Sequence, residues 1–238
     1  MTDSKPLAGR LAVVTGASRG IGAATAEAVA RAGAHVILVA RTGSALEDIE
    51  ERIHSAGGTA TIAPLDLTDG GSIGKLAGAV AERWEKLDIL VLNAAMLGSL
   101  TPVQDIDPKE YVRLLSLNLL ANQALIAAFD PLLKRADSAD VVALTSSVGA
   151  EPRAFWGAYG SSKAALETLL GAYADETAYT GRIRVHIIDP GATRTRMRAL
   201  AFPGEEPESV KPAEAVGQAI VQRLTADAPT GERIRVCV

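Results

Sequence analysis

The 238-residue chain has only one cysteine, Cys237, and three histidines. One thiol excludes an intrachain disulfide framework and suits a reducing compartment. His35, His54 and His186 share no metal-ligand spacing, so no metal centre is expected. Basic residues are not in excess: 24 Lys and Arg stand against 28 Asp and Glu, a formal charge of −4. That balance argues against nucleic acid as a partner. MTDSKPLAGR lacks the apolar run of a signal peptide, and no apolar stretch is long enough to lead one to expect a membrane span. Internal repeats, low-complexity tracts and linkers are absent too. What is present is 48% hydrophobic and 22% charged residues, ordinary for a globular chain. One α/β domain over residues 1–238 is expected, placed in the cytoplasm.

Apolar, partly β-branched runs alternate with helical patterns along the whole chain. Strands are expected at 10–15, 35–40, 59–64, 88–93, 140–146, 183–189 and 232–236. Helices are expected at 20–32, 44–56, 69–86, 108–135, 157–179 and 212–226. Strands apolar throughout imply a parallel sheet covered on both faces. Right-handed crossovers then give a doubly wound, Rossmann-type sheet with its ligand crevice at the C-terminal ends of the strands. The least regular stretch, 191–212, is long for a simple connection and reads as a lid. Leu114, Leu115, Leu117, Leu119, Leu120, Leu125 and Ile126 cannot all face one sheet on a helical period.

Three side chains carry proton chemistry. Tyr159 and Lys163 lie four residues apart in AYGSSKAAL, so both face the same way on a helix. Ser146 lies thirteen residues before the tyrosine, in VVALTSSVG. A phenol passes a proton to a carbonyl oxygen, a nearby ammonium lowers the phenol's pKa, and a hydroxyl holds the substrate oxygen. By itself a tyrosine-lysine pair is common on surface helices. TGASRGIG, directly after the first strand, gives it weight. This segment puts Gly16, Gly20 and Gly22 in a tight turn and at the head of a helix, where a pyrophosphate meets backbone N–H groups and the positive helix end. The spacing G-x-x-x-G-x-G only loosely matches G-x-G-x-x-G.

TGASRGIG, Asn93 to Ala95, Asn118, Ser146, YGSSK and DPGATRT, in this order and spacing, resemble the short-chain dehydrogenase/reductase family. The resemblance runs from about Gly9 to Val236. It implies carbonyl–alcohol interconversion with Tyr159 as general acid or base, Lys163 on the nicotinamide ribose and Ser146 on the substrate oxygen. Asn118, through its backbone in a kinked helix, would place a water that links Lys163 to solvent. Cofactor contacts are implied for Gly16, Ser18, Arg19, Gly20, Ile21 and Gly22 in the turn and for Asp66 and Leu67 at the adenine. Asn93 and Ala94 would lie at the ribose, and Pro190, Gly191, Thr193 and Thr195 at the nicotinamide carboxamide. Ala95 stands where the family has glycine and adds a methyl beside the cofactor's ribose. Ser147 rivals Ser146, because neighbours on a strand face opposite ways, and the family spacing favours Ser146. Asn122 rivals Asn118 one turn on. Thr68 or Asp69 is the expected cap of the helix after the third strand.

Charge decides the expected cofactor. NAD enzymes carry an acid at the end of the second strand, and this chain has Ala40, Arg41 and Thr42 there. Nothing repels a 2′-phosphate, and Arg19 and Arg41 can clamp it. The expectation is an NADP(H)-dependent oxidoreductase acting on a small-molecule carbonyl or alcohol. By resemblance it is a homodimer or homotetramer joined through the two apolar helices. A 3-oxoacyl carrier-protein reductase is the runner-up, suited by Arg153, Arg194, Arg196 and Arg198. A non-catalytic dinucleotide-binding scaffold is the rival from another class. Phe155 and Trp156 are expected as an apolar wall of the pocket.

Overall fold

The computed structural model describes residues 5–237. Its strands are β1 (Leu11–Thr15), β2 (His35–Ala40), β3 (Thr59–Pro64), β4 (Ile89–Leu92), β5 (Ala139–Leu144), β6 (Ile183–Asp189) and β7 (Arg233–Arg235). They form one sheet in the order β3-β2-β1-β4-β5-β6-β7, with every pairing parallel. The chain turns back between β1 and β4, which opens a crevice at their C-terminal ends. The helices are α1 (Gly20–Arg31), α2 (Gly43–Ser55), α3 (Ser72–Arg83), α4 (Pro108–Leu115), α5 (Ala121–Leu133), α6 (Ser147–Ala150), α7 (Gly157–Ala178), α8 (Arg196–Ala201) and α9 (Ala213–Thr225).

The strands are apolar throughout because alternate residues meet different helix layers. Leu11, Val13, Ile37 and Val39 join a core completed by α3, α5 and α7. Ala12, Val14, Val36 and Leu38 join the opposite core with α1, α2 and α9. Asp107 caps α4 by accepting the Glu110 N–H at 2.7 Å, with Pro108 in the first turn. The start of α3 differs from expectation. It begins at Ser72 behind Gly71 in left-handed conformation, so neither Thr68 nor Asp69 caps it. The Asp66 carboxylate binds the Thr68 N–H and hydroxyl at 2.9 and 2.7 Å, a local turn that competes with helix initiation.

The expected helix at 108–135 runs from Pro108 to Leu133 and widens into a π turn at Ser116–Leu120. By length and composition this run is apolar enough to cross a membrane, contrary to the expectation that no stretch is. Its Leu125, Phe129, Leu132 and Leu133 are buried in the core beside the sheet. It is therefore packed as a core helix.

At the edge opposite the crevice, several strands start around one buried charge. Asp140 is 0% exposed and pairs with Arg10 at 2.7 Å and Arg184 at 2.9 Å. Its Oδ1 also lies 2.8 Å from Nε2 of the buried His186. The other ring nitrogen, Nδ1, faces Arg223 Nε at 3.2 Å. A guanidinium can only donate, so His186 is neutral with its proton on Nε2. Burial pushes the Asp140 carboxyl up. The hydrogen bonds from His186 and Arg10, with the charges of Arg10 and Arg184, outweigh it and hold the group below the usual aspartate range.

Asp140→Ala would leave those guanidinium groups without their buried partner and is expected to cost about 3 kcal/mol. A lower urea midpoint at unchanged slope would report it. Folding depresses this pKa, so the contribution is complete above ~4 and is lost as pH falls through the depressed folded value. An unchanged midpoint in the variant would contradict the assignment.

Candidate active site

The glycine turn, Asp66, Asn93, Ser146 and Gly191 lie just beyond the C-terminal ends of strands, whereas Asn118, Tyr159 and Lys163 lie on helices. After β1 the chain turns through Gly16 (φ 66°) and Gly20 (φ 56°) into α1. A Cβ on Gly22 would lie 2.2 Å from the Gly16 carbonyl oxygen and 2.5 Å from Asn93 Nδ2, so no side chain fits there. No side chain caps α1 and no acid sits in its first turn, which leaves the positive helix end uncompensated. Ser18 and Ile21 are half-buried, and Arg19 is exposed.

The turn is fastened to β4 by Thr15, a residue the sequence reading did not single out. Its buried hydroxyl donates to the Val91 carbonyl at 3.0 Å and accepts the N–H groups of Asn93 and Ala94 at 3.0 and 3.2 Å. The Asn93 amide donates to the carbonyls of Thr15 and Gly16 at 2.9 and 3.3 Å. A hydroxyl ending an apolar strand was the available signal, because a buried polar group needs partners. Arg41 and Thr42 follow β2 and are exposed. Asp66, after β3, is exposed, and Leu67 is buried. Thr68's backbone and side-chain hydrogen bonds hold the Asp66 carboxyl below its usual range, and the Arg41 charge adds to this.

β5 ends at Leu144, and α6 begins at Ser147. Ser146 and Ser147 are thus already off the strand, and strand alternation does not separate them. Ser146 is half-buried, with extended backbone (φ −160°, ψ 155°) and a hydroxyl that caps nothing. Tyr159 and Lys163 lie on the first two turns of α7 and are 7% and 2% exposed. Lys163 Nζ donates to the Leu144 carbonyl at 2.8 Å and lies 5.8 Å from the centre of the Tyr159 ring. Burial pushes the Lys163 ammonium down to about 8, while the Glu167 charge opposes the fall.

The Tyr159 phenol shifts opposite to expectation. Burial, and then the Asp189 charge, push it above its ordinary value. A phenolate here would lose its water, and the lysine meant to compensate is directed at the Leu144 carbonyl.

Asn118 is fully buried in the π turn, not solvent-facing. Its Oδ1 accepts the Met96 N–H at 2.9 Å, and its Nδ2 donates to the Met96 carbonyl at 2.9 Å and to Ser162 Oγ at 3.1 Å. Ser162 in turn donates to the Tyr159 carbonyl at 2.7 Å. Asn118 therefore ties the exit of β4 to the tyrosine helix. Asn122 is its partner rather than its rival, donating to the Asn118 carbonyl at 2.8 Å.

Beyond β6, Asp189 Oδ1 accepts the Gly191 N–H at 2.9 Å, and the Thr193 hydroxyl donates to the Pro190 carbonyl at 3.1 Å. Thr193 also pairs with Lys211, pinning together the two ends of the 191–212 stretch expected as a lid. That stretch is not irregular throughout. Thr195 caps α8 by accepting the Arg198 N–H at 3.1 Å, and a short 3-10 turn spans Pro207–Ser209. The Thr195 methyl would lie 3.4 Å from a Cβ on Gly20, so the lid comes close to the glycine turn. Arg198 binds Glu205 at 2.6 Å and stacks 3.7 Å from the Phe202 ring centre, which takes it away from an acidic substrate. Arg194 and Arg196 are exposed. Trp156 stands 6.0 Å from the Tyr159 ring and 5.7 Å from Phe202. Phe155 instead points outward, 57% exposed on a left-handed backbone (φ 71°). The aromatic cluster beside Tyr159 is therefore Trp156 with Phe202, without Phe155.

The family model for short chain dehydrogenases matches residues 10–206. The oxidoreductase YciK of Escherichia coli K12 is 39% identical over 205 residues, which cover 85% of this chain and 81% of its own. A short chain dehydrogenase structure from Pseudomonas syringae superimposes with a TM-score of 0.94 at 37% identity, covering 98% of this chain and 97% of its own. One from Shigella flexneri, complexed with NADP, gives 0.92 at 35% identity, with 98% and 99% covered. Likeness of this degree, running through the sheet and into the lid, makes the chain a member of the short-chain dehydrogenase/reductase family of oxidoreductases.

Proposed function

We propose that the chain is an NADP(H)-dependent reductase interconverting a carbonyl and a secondary alcohol. The observation that carries this reading is the buried Tyr159 and Lys163 pair at the same sheet edge as the glycine turn. The residues present fit the cofactor. An uncapped α1 and a turn with no room for a side chain at Gly22 suit a pyrophosphate held by Gly16, Ser18, Arg19, Gly20, Ile21 and Gly22. Arg41 and Thr42, with Arg19, would hold a 2′-phosphate where an NAD enzyme has an acid. Asp66 and Leu67 would meet the adenine, Asn93 and Ala94 its ribose, Tyr159 and Lys163 the nicotinamide ribose, and Pro190, Gly191, Thr193 and Thr195 the carboxamide. The related Shigella flexneri dehydrogenase is complexed with NADP, which supports the choice.

When bound, the cofactor supplies the hydride. Ser146, its hydroxyl uncommitted to a cap, donates to the substrate oxygen and polarises the carbonyl. Tyr159, kept protonated by burial, delivers its proton to that oxygen as negative charge develops. Lys163, cationic below about 8, stabilises the tyrosinate left behind. Trp156 and Phe202 present an apolar surface to the rest of the substrate. A scaffold protein would gain nothing from desolvating two ionisable groups at a crevice.

The outer face of α5 and α7 is proposed as the contact between subunits of a homo-oligomer. Ile126, Leu169 and Tyr173 line a groove there, and Val112 and Leu120 stand exposed nearby in the chain.

Tyr159→Phe is expected to lower kcat about a thousandfold while NADPH binding, followed by nicotinamide fluorescence, stays intact. Equal turnover in both proteins on any accepted carbonyl would overturn the mechanism. Arg41→Asp is expected to lower the NADPH-over-NADH preference in kcat/KM by about ten- to a hundredfold, the worth of a charge-assisted hydrogen bond. An unmoved preference would remove Arg41 from the 2′-phosphate site. Sedimentation velocity should find a dimer or tetramer, and a stable monomer would contradict the subunit contact.

A further inference from the structure

A half-buried ionic cluster lies behind the tyrosine-lysine pair, and the proposed chemistry does not use it. Glu167 follows Lys163 by one turn on α7. Its Oε1 accepts the Thr145 hydroxyl, and both its oxygens lie 3.2 Å from Arg233 Nε. Arg233, on β7, donates through Nη2 to the Ser146 carbonyl at 3.1 Å and lies 3.5 Å from Asp189 Oδ2. Gly149 closes the cluster: a Cβ there would lie 2.8 Å from Glu167 Oε1 and 3.1 Å from Lys163 Cβ. The segment after β5, α6, α7, the end of β6 and β7 therefore converge on the Glu167–Arg233 ion pair.

Thr145 and Arg233 give that half-buried carboxylate its partners, and it acts on two parts of the site. Through Arg233 it fixes the main chain that carries Ser146. Through its charge it acts on Lys163. We infer that Glu167 is a positioning residue of the reductase centre, setting the Ser146 loop through Arg233 and keeping Lys163 cationic for the tyrosine. This inference rests on the reductase reading of the site.

The groups that act on Lys163 are the Leu144 carbonyl at the end of β5, which accepts from its ammonium, the Tyr159 ring beside it on α7 and the Glu167 charge. Glu167 in turn meets Thr145, just beyond β5, and Arg233 on β7, which reaches Asp189 at the end of β6. Arg233 offsets part of the Glu167 charge, and Asp189 shares the guanidinium. Burial drives the Lys163 pKa down and the Glu167 charge pushes it back up. Without that charge the lysine loses its proton at lower pH, and the tyrosinate formed in the reaction loses its counter-ion.

Glu167→Gln keeps the shape and an oxygen for the Thr145 hydroxyl, and removes the charge together with one of the two oxygens facing Arg233. Its alkaline limb in kcat/KM for carbonyl reduction is expected about one pH unit lower than wild type, roughly a tenfold loss of rate above the limb. The pH dependence of NADPH affinity, read by nicotinamide fluorescence without any substrate, should move with it. Glu167→Asp, with the charge on a shorter arm, should restore the limb while kcat stays below wild type. Arg233→Gln should move the limb upward and lower kcat by releasing the Ser146 carbonyl. A Glu167→Gln limb that coincides with wild type overturns the inference. So does a downward shift in Arg233→Gln, which decides the matter even if Glu167→Gln fails to fold. Should the wild type bind NADPH yet reduce no carbonyl, the reductase reading fails, whereas the fluorescence titration still reports whether Glu167 governs Lys163.

Discussion

Lys163 carries its ammonium inside the protein and donates it to the Leu144 carbonyl, which joins α7 to the last residue of β5. A cation removed from water is costly unless its surroundings answer it. Here they do so with a carbonyl, a carboxylate one turn away and an aromatic face. The same burial that lowers the ammonium raises the phenol of Tyr159. The two groups are driven toward neutrality together; the Glu167 charge counters this for Lys163, whereas the Asp189 charge reinforces it for Tyr159. In the proposed reduction, a protonated tyrosine of this kind gives its proton, and the nearby lysine answers the anion that remains.

The two edges of the sheet use buried charge for different ends. Around Asp140, three basic side chains satisfy one carboxylate, and the result is a fixed start for β1, β5 and β6. At the crevice edge the charges are divided among Lys163, Glu167, Arg233 and Asp189. There, removing one member changes the titration of another. The topology makes the separation possible, because parallel strands place every N-terminal end on one side and every C-terminal end on the other.

The sheet was legible because β2, β3 and β6 are apolar or β-branched runs bracketed by turn residues, and their bounds at 35–40, 59–64 and 183–189 coincide with the structure. Where local hydrogen bonding competes with the helical pattern, the boundary moved. Asp66 turning on Thr68 delayed α3 to Ser72. The π turn at SLNLL has no residue signature, since its wider hydrogen-bond ring uses ordinary helix formers. The order of the site motifs along the chain was readable, and the direction of the Tyr159 shift was not. A neighbouring lysine is visible in the sequence, whereas depth of burial and the direction in which the lysine donates are not. Glu167 and Arg233 lie 66 residues apart, and nothing in either segment announces the pair. Helix α8 was missed for a simpler reason: six residues are too few for a period to show.

The central claim is that hydride reaches a carbonyl carbon while Tyr159 protonates the oxygen. The most direct measurement uses NADPH deuterated at both C4 positions with an accepted ketone, followed by mass spectrometry and proton NMR of the alcohol. The account predicts one deuterium on the carbinol carbon, with the hydroxyl hydrogen drawn from solvent. A product alcohol without deuterium on that carbon would contradict it.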